Sequence, residues 1–320
     1  MRTIKYVLGV VLFFGVFCSP VTSFAIVDTV KFSLSPETPG PNESIKVKLE
    51  AYGIDLGASS IIWVIDGTPV AEGVGIETYT ITTKEVGAPT KLDIVITPPS
   101  KEVVKKSITI VPGEVDLLWE ADTYIPPFYK GKALPTHASD VRFSAFPRFG
   151  NETNQNGVHY RWVADRTRSV GDGVGRSSAI YKAAGKGRKI VMGVEVTDSK
   201  SGGTGRSTVE VSSVEPQVVF YEDRPLLGLS FERSLKNNTQ IDGTTAVVRA
   251  VPYFFSTSDY VNGKLLYLWS SGGMRIPNNV QPNQVIVDSP GVAAIELRIR
   301  NSVRVMQDTY RAIKFTLNNK

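Results

Sequence analysis

Apolar and polar residues alternate in short runs along this chain, and the runs come in matched sets. Ile45-Lys46-Val47-Lys48-Leu49, Val141-Arg142-Phe143-Ser144-Ala145 and Val247-Val248-Arg249-Ala250-Val251 each predict a strand with one buried face. A second set, residues 92–96, 190–196 and 295–299, has the same period of two, and Gly87, Gly187 and Gly291 precede its members. Between the two sets lies a short apolar run carrying a tryptophan: Trp63, Trp162 or Trp269, spaced 99 and 107 residues apart. A last strand is predicted at residues 107–111, 207–211 and 312–317. Pro147 and Pro252 should mark strand exits or edges, because proline cannot donate to a ladder.

This order, repeated three times, predicts an all-β chain of three tandem β-sandwiches, each with one tryptophan between its sheets. The boundaries fall where one last strand meets the next first strand. They give a leader at 1–25, a first domain at 26–113, a second at 114–214 and a third at 215–320. The joints Val111-Pro112-Gly113 and Val214-Glu215-Pro216 are short and proline-containing, so end-to-end stacking with limited bending is expected.

The N-terminus reads as a secretory signal. Arg2 and Lys5 precede an apolar run from Tyr6 to Cys18, and Ser23-Phe24-Ala25 fits cleavage after Ala25. Thirteen apolar residues are short for a span of about 20, so membrane contact is expected only if this segment stays uncleaved. Cys18 is the one cysteine and lies in the leader, so the mature domains rely on core burial without disulfides, and thiolate metal sites and cysteine nucleophiles are excluded. The net charge of +5 is spread unevenly: −3 over residues 26–113, +3 over 114–213 and +3 over 214–320. That balance supports solubility, and with an export signal it argues against a nucleic-acid partner.

The second repeat also carries Tyr160-Arg161-Trp162, Gly171-Asp172-Gly173 and Val194-Glu195-Val196-Thr197-Asp198. This set resembles the polycystic-kidney-disease (PKD) type of immunoglobulin-like domain. The first repeat keeps Trp63 and Asp66-Gly67. The third keeps Tyr267 and Trp269 but has Ser270 to Gly273 where an acidic turn is expected. The resemblance implies immunoglobulin-like sandwiches used as spacers or adhesion modules, without catalysis. The stretch Pro126-Pro127-Phe128-Tyr129-Lys130-Gly131 is similar to stretches in exported bacterial proteins of immunoglobulin-like type, which implies a cell envelope.

Candidate chemistry is sparse. His137 and His159 lie in different segments, without zinc spacing, and read as exposed polar residues. Gly171-Asp172-Gly173-Val174-Gly175 and residues 201–205 read as turns. Asp116, Glu120, Asp122, Glu222 and Asp223 follow the two joints and read as ordinary solvated acids, with ligands for an interdomain calcium as the alternative; no cofactor is expected. The run from Arg161 to Lys189 is basic and suits an acidic polysaccharide, an acidic protein or plain solvent.

The densest aromatic stretch contains Trp119, Tyr124, Phe128, Tyr129 and Lys130. Aromatics with polar ends suit interfaces. Because the stretch begins right after a joint, it is expected to form an interdomain seam against the first repeat. The alternative is a partner surface that binds carbohydrate. The chain is thus expected to be a non-enzymatic structural or adhesive module, periplasmic, cell-surface or extracellular, whose partner is an envelope protein or a surface polysaccharide.

Overall fold

A computed structural model describes residues 30–99, 102–150, 157–277, 281–288 and 290–318. The expected leader and its cleavage after Ala25 lie outside the described residues. Among the described residues no helix is long and apolar enough to cross a membrane.

The first repeat comprises β1 (Val30–Ser35), β2 (Ser44–Ala51), β3 (Ser60–Ile65), β4 (Thr68–Val74), β5 (Thr78–Thr82), β6 (Thr90–Thr97) and β7 (Val104–Ile110). They form two antiparallel sheets, ordered β1-β2-β5 and β4-β3-β6-β7. Alternation decides the faces. In β2, Ile45, Val47 and Leu49 are buried while Lys46 and Lys48 face water. The core gathers Ile45, Val47, Trp63, Leu92 and Ile94 between the sheets.

The second repeat repeats the plan with β8 (Glu114–Ala121), β9 (Asp140–Arg148), β10 (Val158–Ala164), β11 (Arg168–Val174), β12 (Ser178–Lys182), β13 (Lys189–Asp198) and β14 (Thr204–Ser212). Its sheets are β8-β9-β12 and β11-β10-β13-β14, the same order shifted by seven strands. Pro147 sits near the end of β9, opposite Val115 and beyond the reach of β12, which pairs no further than Ser144. The missing donor therefore breaks no ladder.

The third repeat adds to the plan. It comprises β15 (Gln217–Arg224), β16 (Gly228–Leu235), β17 (Thr239–Asp242), β18 (Ala246–Tyr253), α1 (Thr257–Val261), β19 (Leu265–Ser271), β20 (Met274–Arg275), β21 (Gln284–Val287), β22 (Gly291–Asn301) and β23 (Asp308–Asn318). Its sheets are β16-β15-β18-β21 and β17-β23-β22-β19-β20. Without β16 and β17 the order is that of the first two repeats. β16 folds back on β15 and widens one sheet, while β17 lies parallel to β23 and widens the other.

The six sheets thus pair into three β-sandwiches of immunoglobulin-like or fibronectin-III-like type. Trp63 and Trp162 are fully buried and Trp269 is 1% exposed. Each indole donates to a backbone carbonyl 13 or 14 residues downstream: Trp63 to Ile76 at 2.8 Å, Trp162 to Arg176 at 2.7 Å and Trp269 to Pro282 at 3.0 Å. Each tryptophan strand then ends three residues later in a tight hairpin with positive φ at both central residues. These pairs are Asp66-Gly67, Asp165-Arg166 and Gly272-Gly273. The expected turn at Gly171-Asp172-Gly173 is corrected here, since these residues lie inside β11, paired to β10. The turn sits earlier because the hairpin follows directly on the tryptophan strand.

Candidate functional site

The features that set the repeats relative to one another are two joints, and the second joint holds most of the aromatic stretch. At the first joint, Pro112 bridges Thr204 in parallel. Gly113 donates to the Thr204 carbonyl at 2.6 Å, Thr204 to Val111 at 3.0 Å and Gly87 to Pro112 at 2.8 Å. The backbones of Gly87 and Gly150 come so close that a Cβ on Gly87 would lie 2.5 Å from Gly150 Cα. Arg206 of β14 reaches across to the Glu43 carboxylate and the Thr38 carbonyl of the first repeat. Burial raises the Glu43 pKa, but the Gly40 amide and the Arg206 guanidinium outweigh it and hold it below the ordinary value.

The second joint starts at the far end of β8. Tyr124 donates its N–H to the Phe255 carbonyl and accepts from the Phe254 N–H, both at 2.7 Å. This is a short antiparallel bridge between the repeats, and Thr123 faces Ser256 in it. Rings close over it. Tyr124 stacks on Tyr260 at 3.8 Å between centroids, and Phe128 stacks on Phe231 at 5.1 Å and meets the edge of Tyr221 at 5.5 Å. Tyr129 makes edge contacts with Tyr253 and Phe254. Such pairs contribute roughly 0.5–1.5 kcal/mol each beyond their burial. Burial first, then hydrogen-bonded neighbouring phenols, push the Tyr124 and Tyr253 phenols well above their ordinary value.

Beneath the rings lies a buried polar network. Gln307, fully buried, accepts from Ser256 N–H at 3.0 Å and donates to the His137 carbonyl at 2.9 Å. Asn301 donates to Gln307 at 2.9 Å and to Asp259 at 2.7 Å. Arg304 pairs with Asp259 and also donates to the Ala138 carbonyl at 3.2 Å. Thr136 donates to the Phe254 carbonyl at 2.8 Å. The His137, Ala138 and Phe254 carbonyls therefore have these side-chain partners from the other repeat only while the joint is closed.

This placement corrects the expected seam. Tyr124, Phe128 and Tyr129 pack on the third repeat, where the sequence predicted the first. β8 begins at the first joint, but ten residues at about 3.3 Å each carry Tyr124 to the opposite end of the sandwich. Trp119 stays behind on β8, half-buried against the second core, with the Lys132 ammonium 3.3 Å above its ring. Lys130 is exposed.

The remaining candidates are dispersed. His159 meets Asp172 at 2.8 Å on an outer face. His137 is half-buried at the second joint, where an exposed residue was expected, and its Nδ1 has no hydrogen-bond partner. Glu120 pairs with Arg142, Asp116 approaches Arg148 at 3.6 Å, and Asp223 pairs with Arg249. In the basic run, Arg161, Lys182, Lys186 and Lys189 all face carboxylates. Among the described residues no group of three or more His, Cys, Asp or Glu side chains is placed to hold a metal ion. Sequence reasoning missed Asn301, Arg304 and Gln307. They are spread over a loop that mixes polar residues with Val303, Val305 and Met306, so no pattern set them apart.

No protein-family model matches the chain, and no curated protein matches it. Solved structures similar to it include fibronectin(III)-like modules of Clostridium thermocellum CbhA, at 10% identity over 57% of this chain and 94% of that one, TM-score 0.29. Three N-terminal domains of the outer capsid protein Hoc of bacteriophage RB49 are similar at 10% identity over 91% and 99%, TM-score 0.26. The central fibronectin-III array of RIM-binding protein is similar at 11% identity over 89% and 95%, TM-score 0.30.

Proposed function

We propose that this chain is an exported, non-catalytic spacer of a bacterial cell envelope, built of PKD-like immunoglobulin domains at 26–113, 114–214 and 215–320. It holds other envelope components at a fixed separation through protein–protein contacts. The observation that carries this reading is the second joint. A flexible string of domains needs only a linker, whereas here backbone bridging, stacked rings and a buried network fix one sandwich on the next. A sugar-binding role for residues 119–129 needs free ring faces, and one face each of Tyr124 and Phe128 is already taken by Tyr260 and Phe231.

Small-angle scattering of the protein from residue 26 onward tests the reading. One fixed arrangement of the second and third repeats is expected to fit the wild type. A Tyr124→Ala/Gln307→Ala variant should require a spread of angles. A wild type that already needs that spread would remove the stiff-spacer reading. Export is checked separately, by cell fractionation and by N-terminal sequencing, which should begin at Ile26.

A further inference from the structure

The loop between β22 and β23 inverts the usual rule of burial. Val303, Val305 and Met306 are 59%, 74% and 67% exposed, while the charged residue among them, Arg304, is tucked onto Asp259. The loop is held in that sense. Asn301 Oδ1 accepts from the N–H groups of Val303 and Arg304 at 2.9 and 3.0 Å. Gln307 N–H donates to the Arg304 carbonyl at 2.8 Å, and the Arg304 and Gln307 side chains are anchored on carbonyls of the second repeat. The closed joint therefore presents the apolar side chains outward.

Beside them lies an open groove of about 670 Å³, lined by Leu266, Val305, Met306, Arg298, Arg300 and Asp308. Arg298 and Arg300 both bind the Asp308 carboxylate through Nε, at 2.9 Å each. Two guanidiniums thus share one anion. Among the described residues their terminal nitrogens make no hydrogen bond, and these three groups together carry one net positive charge next to an apolar floor.

We propose that this groove is a docking surface for a partner protein that presents a carboxylate beside apolar side chains. The proposal rests on the scaffold reading and names the chemistry of the partner. Apolar patches rimmed by polar groups mark interaction sites. Guanidinium forks match carboxylates in two-point geometry. A loop already fixed in shape loses little entropy on binding.

Selection of random twelve-residue peptides displayed on phage, against the protein from residue 26 onward, tests the proposal. A Val305→Ser/Met306→Ser variant serves for counter-selection. The expected peptides combine Asp or Glu with Leu, Ile or Phe. A synthetic copy of the most enriched one should bind the wild type at least ten-fold more tightly than it binds the serine variant or an Arg298→Gln/Arg300→Gln variant. Its affinity should also fall with added salt. Peptides without carboxylates, equal binding to all three proteins, or no enrichment would overturn the proposal. So would co-sedimentation with phosphatidylglycerol vesicles that is lost in the serine variant, because lipid would then be the occupant. The serine changes are at exposed positions and should leave the melting temperature unchanged, so they decide the outcome even if the arginine variant is destabilised. Scattering from the wild type does not depend on any of these results, so the docking proposal and the stiff-spacer reading fall separately.

Discussion

At the residue scale, the tryptophans combine two jobs: filling the space between sheets and donating one hydrogen bond to a loop carbonyl. Trp162→Ala removes both and should destabilise the second sandwich by about 3–5 kcal/mol. Trp162→Phe keeps most of the volume but strands the Arg176 carbonyl, which should cost about 1–3 kcal/mol. Urea unfolding of the two variants would order them, and equal losses would show that the indole N–H contributes nothing. Arg166 offers a change of opposite sign. It takes the second position of a tight hairpin with φ near 70°, where the first and third repeats place glycine. A side chain in that region costs roughly 1–2 kcal/mol, of which glycine returns part by loosening the unfolded chain. Arg166→Gly should therefore stabilise the second sandwich by about 0.5–1 kcal/mol, read as a rise in its melting temperature.

At the scale of elements, the second joint links a carboxylate to strand β22 and helix α1, so its closure should depend on pH. Burial alone would raise the Asp259 pKa, but the Asn301 hydrogen bond and the Arg304 bond and charge outweigh it and hold it below its ordinary value. A carboxylate depressed in the folded state adds stability above its unfolded pKa and loses it as the pH falls through the lower, folded one. The joint should thus loosen on acidification below about pH 4. Hydrogen exchange at the Phe254 and Tyr124 amides measures this. Asp259→Asn should speed exchange at neutral pH and flatten the acid dependence; an unchanged acid limb would assign the loss to other carboxylates. Little of this joint was legible in the sequence. The alternating strands around Ile45, Val141 and Ile295 were, because period-two burial is written in consecutive residues. The turn after each tryptophan was half legible: Asp66-Gly67 announces itself, while Asp165-Arg166 does not, since arginine carries no turn signal. The seam was assigned to the wrong neighbour because position along the chain says when an element starts, and a strand traverses the whole sandwich before the next turn. β17 went unread for a related reason: it is a four-residue insertion whose partner, β23, lies far away in sequence.

At the scale of the molecule, the three sandwiches have separate cores, each drawing on its own strands, and the joints decide whether they act as one body. Tandem units of this kind gain stability from their own cores plus a term from each interface with a neighbour. The two interfaces differ in kind. The first joint is mostly backbone against backbone, around Gly87, Gly113 and Gly150, with the Arg206 pairing outside it. The second buries side chains from both repeats in a hydrophobic cluster apart from the three cores, formed by Tyr221, Val251, Tyr253 and Phe254 with Ile125, Phe128 and Tyr129. Apolar burial and satisfied buried groups couple unfolding more strongly than surface pairs do. Calorimetry of the protein from residue 26 onward should therefore show the second and third repeats melting in one transition, with the first repeat separate. Tyr124→Ala/Gln307→Ala should split the joint transition in two and lower the third repeat, whose Ser256 and Asn301 lose the buried amide they both meet. Gly87→Ala should shift only the first repeat's transition and leave the coupled pair intact. Three independent transitions in the wild type would mean that the second joint, for all its contacts, holds the sandwiches together without coupling their folding.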